Sequence, residues 1–356
     1  MHSKVAYGIV TVLGLALLMV VHEMGHLLAA RKFGMRVVKF SIGFGPVLYR
    51  QQPVGSTTVY QVAIIPFLAY VQIAGMNPYE DVDPKDTGSY ANASLWARIC
   101  TIAAGPVSNY LFASVLMFGG FLLSGHRIID DKSMRVSVQT AGPAHDAQML
   151  EGDRILKVNG APIADWDQLK KAVGSHPGEP IAVTVERENR EVQLSVTPLP
   201  ATDPKFAGKI KVAPYTRVVK VSAAEAAVLS LKEPANVVYE LVRGLAHGIA
   251  MRFAGKDDGL DFHGPVDMFR FTSEVVESGA GNTLLWLGEL SAYLGGFNLL
   301  PIPALDGGRL LFLCFEAASR RRADAKVEAG VHAIGLVMML TFVLFLTYRE
   351  LLKPAG

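Results

Sequence analysis

His22-Glu23-Met24-Gly25-His26 sits inside an apolar run covering residues 5–30, and that pairing decides both the fold class and the chemistry. On a helix, residues four apart share a face, so His22 and His26 can direct two imidazoles at one metal ion. Glu23 follows the first of them and can reach a water on that metal as general base. Residues 5–21 are almost wholly apolar, and 27–30 continue the run. Ionisable groups in such a segment are costly in hydrocarbon and mark function by default. The motif points to hydrolysis inside a membrane.

The rest of the composition agrees. Of 356 residues, 51% are hydrophobic and 19% charged, and the mean hydropathy is +0.30. These values fit a polytopic membrane protein with one modest soluble domain. A net charge of +2 is too small to suggest nucleic acid as a partner. Cys100 and Cys314 both fall in apolar segments, so buried, inert thiols are expected rather than a disulfide framework or a cysteine metal cluster. Lys4 before the first run resembles the start of a signal peptide. The run is longer than a usual signal core, however, and no small-residue cleavage site precedes Arg31-Lys32. A retained transmembrane helix is expected.

Four segments are candidate spans: about 5–30, 95–123, 283–318 with an interruption in its middle, and 331–352. Arg31, Lys32, Arg36, Lys39 and Arg50 follow the first, and Arg320, Arg321, Arg322 and Lys326 link the last two. The positive-inside rule places both clusters in the cytoplasm, leaving the N-terminus, the long middle section and the C-terminus outside. His22 lies nine residues before Arg31, or roughly 13 Å along the helix, toward the inner face of the bilayer.

Between the first two spans, residues 40–72 read as short β segments, among them Ser41-Ile42-Gly43-Phe44-Gly45-Pro46. A hairpin or re-entrant element beside the active site is favoured over an ordinary cytoplasmic loop. Residues 77–92, rich in Asp, Pro and Gly, read as a flexible loop. From about 134 to 199 the character changes to a small soluble domain: 136–138, 181–185 and 192–196 are β-like and 166–173 helical. Residues 223–253 are helical and partly amphipathic, either a surface helix or a packing helix.

A catalytic zinc site usually has three protein ligands and one open position. Asp306, in Asn298-Leu299-Leu300-Pro301-Ile302-Pro303-Ala304-Leu305-Asp306-Gly307-Gly308, is the strongest candidate for the third. It is a carboxylate in an otherwise apolar segment, and Pro301 and Pro303 break the helix just before it. Alone, it would read as a helix cap; beside the histidine motif, ligation is preferred. Asn109 is a polar residue within the second span, either bonding across helices or positioning the site. His126, His145, His176 and His332 lack ligand spacing and read as surface or packing residues. Glu289 and Glu316 are assigned no role.

His22-Glu23-Met24-Gly25-His26, Gly43-Phe44-Gly45-Pro46, Ala104-Gly105-Pro106 with Asn109, and the segment from Asn298 through Gly308 together resemble the bacterial site-2 protease family, in its regulator of sigma-E protease branch. The middle section, with Gly152-Asp153-Arg154-Ile155-Leu156-Lys157-Val158-Asn159-Gly160, is similar to a PDZ domain, a module that takes an extended peptide or C-terminus at a sheet edge. One such domain stands where enterobacterial members have two. The resemblance implies Zn2+ held by His22, His26 and Asp306, Glu23 as catalytic base, and Asn298 as a residue that binds substrate or stabilises the oxyanion.

The expected fold is a polytopic α-helical membrane protein of about four transmembrane helices, with a membrane-associated β hairpin region and one α+β PDZ domain. The expected divisions are an N-terminal membrane half (1–125), the PDZ domain (126–200), a linker with an amphipathic helical region (201–282) and a C-terminal membrane half (283–356). The expected activity is that of a zinc intramembrane endopeptidase of the bacterial inner membrane, cutting transmembrane segments of single-pass proteins such as anti-sigma factors or signal-peptide remnants. The PDZ domain would lie on the extracytoplasmic side and the active site toward the cytoplasmic face. The rivals are a non-proteolytic PDZ scaffold with a structural metal, which Glu23 argues against, and an ion transporter, which the lack of inverted repeats argues against.

Overall fold

The computed structural model describes residues 2–66, 68–77, 79–130, 132–200, 208–255 and 263–352. Phe67, inside the expected β region, and Pro78, inside the expected flexible loop, lie outside the described residues, as do 201–207 and 256–262 of the expected linker. The chain divides into two compact units, one made of Met1–Ser124 with Val221–Gly356 and the other of Gly125–Lys220.

The larger unit is helical. It contains α1 (His2–Lys32), α2 (Leu95–Ser124), α5 (Ala223–Phe253), α6 (Pro265–Glu277), α7 (Ala280–Leu299), α8 (Asp306–Ser319) and α9 (Ala325–Leu352). Among the described residues, three helices are long and apolar enough to cross a membrane: Val5–Lys32, Leu95–Ser124 and Ala325–Leu352. The expected third span is the exception, for it is two helices, α7 and α8, parted by residues 300–305. Pro301 and Pro303 explain the gap, since neither carries an N–H for the helix ladder. Helix α2 is the hub, packing against α1, α5, α7 and α8. Helix α5 starts with a capping box between Ser222 and Glu225 and packs against α2 and α7, which selects the packing alternative from the sequence. The expectation of buried thiols fails: Cys100 is half-buried and Cys314 exposed, both free. An apolar neighbourhood in sequence fixes neither burial inside the protein nor which side of a membrane helix meets lipid.

Between α1 and α2 lies a four-stranded sheet rather than a single hairpin. Strands β1 (Val37–Ile42), β2 (Phe44–Gln51), β3 (Val59–Ile65) and β4 (Tyr70–Ile73) take the order β2-β3-β1-β4. Strands β1 and β3 run parallel, while β2 and β4 pair antiparallel to their neighbours. Gly43, at φ +90, turns the chain where a Cβ would strike the carbonyls of Ala63 and Ile65. The sheet seats on the end of α1 through a buried cluster that includes Leu27, Ala30, Val37, Phe40 and Ile73. That packing leaves β4 as the edge strand beside α1. The following loop is pinned: Arg36 donates to both Asp86 oxygens at 3.2 and 2.7 Å, and Asn92 donates to the Asp83 and Asp86 carbonyls. The Arg36 guanidinium holds the Asp86 carboxyl below its ordinary pKa.

The smaller unit pairs a four-stranded sheet with a three-stranded one. The first has the order β10 (Arg190–Val196), β9 (Ile181–Arg187), β7 (Arg154–Val158), β8 (Ala161–Pro162), and the second β5 (His126–Asp130), β11 (Val212–Val219), β6 (Val136–Val138). Two short helices, α3 (Pro143–Asp146) and α4 (Trp166–Gly174), complete it. The unit therefore runs past residue 200. Residues 212–219, which the sequence reading left in the linker, form the central strand of the second sheet. The core is aliphatic, with Val136, Ile155, Val183, Val185 and Val196 almost fully buried. Asp153 anchors the turn into β7: Arg187 donates to it at 2.9 and 2.7 Å, and the Leu150 N–H at 2.9 Å. Asp153→Ala removes all three of these bonds, leaving Arg187 its bond to the Gln148 carbonyl, and is expected to cost this unit about 1–3 kcal/mol. Urea unfolding of the full chain, followed by proteolytic cutting within 125–220, reads that loss.

Candidate metal centre

Helix α1 sets His22 and His26 one turn apart on one face, and both are buried. Helix α8 begins at Asp306, so the break at 300–305 delivers a carboxylate to them. Asp306 Oδ2 lies 3.0 Å from His22 Nε2 and 3.2 Å from His26 Nε2. The two Nε2 atoms are themselves 3.2 Å apart. Three ligand-type atoms thus form a nearly equilateral triangle. A tetrahedral zinc with ordinary bonds spaces its ligand atoms by about 3.3 Å, so the triangle fits one ion of that size. Asp306 Oδ2 is buried and accepts no aligned hydrogen bond, which away from water calls for a cation at its lone pair. Among the described residues, these three form the group of histidines, cysteines and carboxylates able to hold a metal.

Second contacts orient the rings. His26 Nδ1 lies 2.8 Å from the Thr101 carbonyl of α2. A carbonyl only accepts, so Nδ1 carries the hydrogen and Nε2 presents its lone pair. His22 Nδ1 sits 3.3 Å from the amide nitrogen of fully buried Asn109, whose Oδ1 has no partner. Ligation by His22 Nε2 requires the same tautomer, which Asn109 meets with its amide turned over, Oδ1 accepting from Nδ1–H. Asn109 therefore lies against the site, which favours positioning over a simple cross-helix bond.

Space for the rings comes from glycine. A Cβ at Gly105 would collide with the His26 and His22 rings, and one at Gly25 with the Ala104 carbonyl. Helices α1 and α2 close on these two positions, and Ser108 Oγ donates to the Val21 carbonyl at 2.8 Å. Farther along, Arg98 of α2 grips Glu316 of α8 with two hydrogen bonds, at 2.6 and 2.9 Å. That pair fixes α8 against α2 and gives Glu316 a structural part.

Glu23 Oε2 accepts the Val71 N–H of β4 at 3.0 Å. The base position of the motif therefore touches the edge of the sheet. Asn298 is placed differently, for its Nδ2 donates to the Leu294 carbonyl of its own helix at 2.9 Å. Sequence reasoning passed over three contributors. Gly105 was visible within Ala104-Gly105-Pro106, but only as part of a pattern. The Val71 N–H is backbone and leaves no side-chain signal. His332, set aside with the packing histidines, accepts the Ala304 N–H on its Nδ1 at 2.9 Å.

Residues 10–342 match the profile of peptidase family M50. A protein of Rhizobium meliloti is 30% identical over 358 residues, covering 95% of this chain and 94% of its own length. The zinc metalloprotease RasP of Geobacillus kaustophilus is 27% identical, covering 93% of this chain and 94% of itself. The regulator of sigma-W protease RasP of Bacillus subtilis is 28% identical over the same shares, 93% and 94%. The match takes in the helix of His22 and His26 together with the distant Asp306 that meets them, and the chain belongs to peptidase family M50, the site-2 protease family.

Proposed function

We propose that the chain is a zinc-dependent intramembrane endopeptidase that hydrolyses peptide bonds in transmembrane segments of single-pass proteins. The observation that carries this is the ligand triangle itself: His22 and His26 belong to a helix apolar and long enough to cross a membrane. His22, His26 and Asp306 hold the zinc, and the zinc metalloprotease names of relatives support that metal. Bound there, zinc supplies Lewis acidity to the scissile carbonyl and to the attacking water. Glu23 takes the water's proton and passes it to the leaving amine. The Val71 N–H fixes the carboxylate rotamer, leaving the second oxygen to act.

A helical substrate must unwind before its carbonyl can be attacked, because its backbone is otherwise internally bonded. Strand β4, an edge strand touching Glu23, is suited to hold the unwound segment extended. Asn298 and Asn109 are the polar side chains assigned to substrate or oxyanion, with Asn109 also holding His22. Helices α7 and α8 together make a fourth, broken crossing, in which irregular backbone is tolerated because it lines the site. The basic clusters put residues 31–50 and 320–326 in the cytoplasm of a bacterial inner membrane, and the 125–220 unit outside. That unit acts as a PDZ domain, a reading supported by its two small sheets and short helices around the Gly152–Gly160 turn, strand and turn. It would take a peptide or C-terminus. Anti-sigma factors and signal-peptide remnants are the proposed substrates, the first of them supported by the sigma-W regulator name of a relative.

Metal removal tests the reading. Phenanthroline treatment is expected to abolish cleavage of a tagged single-pass substrate in liposomes, and one equivalent of zinc to restore it. Cleavage persisting in protein shown to be free of metal would refute the reading.

A further inference from the structure

Asp306 reaches the two histidines only if the chain between α7 and α8 takes one course. Of the N–H groups in residues 301–305, proline removes two, and Ile302 and Leu305 donate locally, to the Leu300 and Ile302 carbonyls. The remaining one, from Ala304, leaves the segment and is accepted by His332 Nδ1 of α9 at 2.9 Å. Ala304 stands at φ +76, a left-handed conformation that favours glycine. An alanine stays there only when its surroundings hold it.

Helix α9 supplies that hold from two positions three residues apart, on one face. His332 takes the Ala304 N–H, and Gly335 lies so close that a Cβ would run into Pro303. From the other side, a Cβ at Gly307 would strike the Leu299 and Leu300 carbonyls, and one at Gly308 the Ile302 carbonyl and the His332 ring. The His332 ring is tilted against Phe312 of α8, centroids 5.9 Å apart, and both line a cavity of about 480 Å3 with Arg309 and Glu328. Because Nδ1 accepts, Nε2 carries the ring hydrogen, and the imidazole is neutral and fixed in tautomer.

We propose that His332 is a positioning residue of the metal centre: its Nδ1 pins Ala304 in the left-handed conformation that carries Asp306 to His22 and His26. Helix α9, which offers no ligand of its own, thereby braces the third one. The inference rests on Asp306 being a zinc ligand. Partners that orient ligands in this way typically change metal affinity or activity by about 10- to 100-fold when lost.

Three substitutions at one position separate the acceptor from the ring. In Asn, Oδ1 takes the place of Nδ1; in Gln, the oxygen falls near Nε2 instead; Leu has no acceptor. In full-length protein in detergent, His332→Leu and His332→Gln are expected to weaken zinc retention against a competing chelator about 10- to 100-fold. They should lower kcat with KM little changed and speed hydrogen exchange in peptides spanning 299–310. His332→Asn should stay within about threefold of wild type on each readout. Ala304→Gly added to His332→Leu should recover part of the zinc affinity, since glycine needs less holding at φ +76. Unchanged exchange and zinc affinity in folded His332→Leu or His332→Gln would overturn the proposal, as would His332→Asn failing as badly as either. Exchange also separates the two readings: if the wild type held no zinc, the protease reading would fail, while faster exchange at 299–310 in His332→Gln would still support the pin and unchanged exchange would end it.

Discussion

Glu23→Gln is expected to lower cleavage by about 100- to 10,000-fold while zinc stays bound at one equivalent. The amide keeps the size of the carboxylate and can still accept the Val71 N–H through its oxygen, so the β4 contact survives. What is lost is the ability to take a proton. The proposed ligands are untouched, because Glu23 contributes no atom to the triangle. Cleavage assays of a tagged single-pass substrate, run beside metal analysis of the same preparation, check both halves. A variant that cuts as fast as the parent would remove Glu23 from the mechanism.

Gly105→Ala is expected to damage the centre although it replaces none of the proposed ligands. The added methyl would fall on the His26 and His22 rings, between two helices already closed on Gly25 and Ser108. Overpacking of this kind costs about 1–3 kcal/mol. Here the helices that would have to part are the ones that carry the two histidines and the Thr101 carbonyl orienting one of them. Zinc affinity should fall by at least about tenfold, and cleavage with it. Gly244→Ala on α5 is the control, since a Cβ there meets nothing within 4 Å. Equal zinc retention by the two variants would show that α1 and α2 have slack the structure does not suggest.

The proposed ligands are legible because they break the composition around them. His22, Glu23 and His26 share one helix and one spacing, and Asp306 is a charge in an apolar segment behind two prolines. Both signals are local, and the contact between them needs only the fold to close. The supporting atoms were not legible, for reasons that differ. The Val71 N–H is backbone, and which strand lies on the edge depends on the order β2-β3-β1-β4, which pairs strands that are not consecutive in sequence. Gly105 matters through an absent side chain whose space is defined by another helix. His332 bonds a residue 28 positions away, at the turn of a loop, and has no ligand spacing to announce it. Strand β11 is hidden in the sequence because Pro214 lies inside it and argues against a central strand; pairing with β5 and β6 overrides that weak propensity. The 77–92 loop read as flexible from its Asp, Pro and Gly content, yet Arg36, 50 residues before Asp86, ties it down.

Everything proposed for this chain turns on where the cut falls. Purified protein would be reconstituted in liposomes with a single-pass substrate of known sequence, and the fragments' new termini read by mass spectrometry. Cleavage within the substrate's apolar span, absent from Glu23→Gln and from metal-stripped protein, is the predicted result. A cut confined to the soluble flanks, with the span intact, would contradict it.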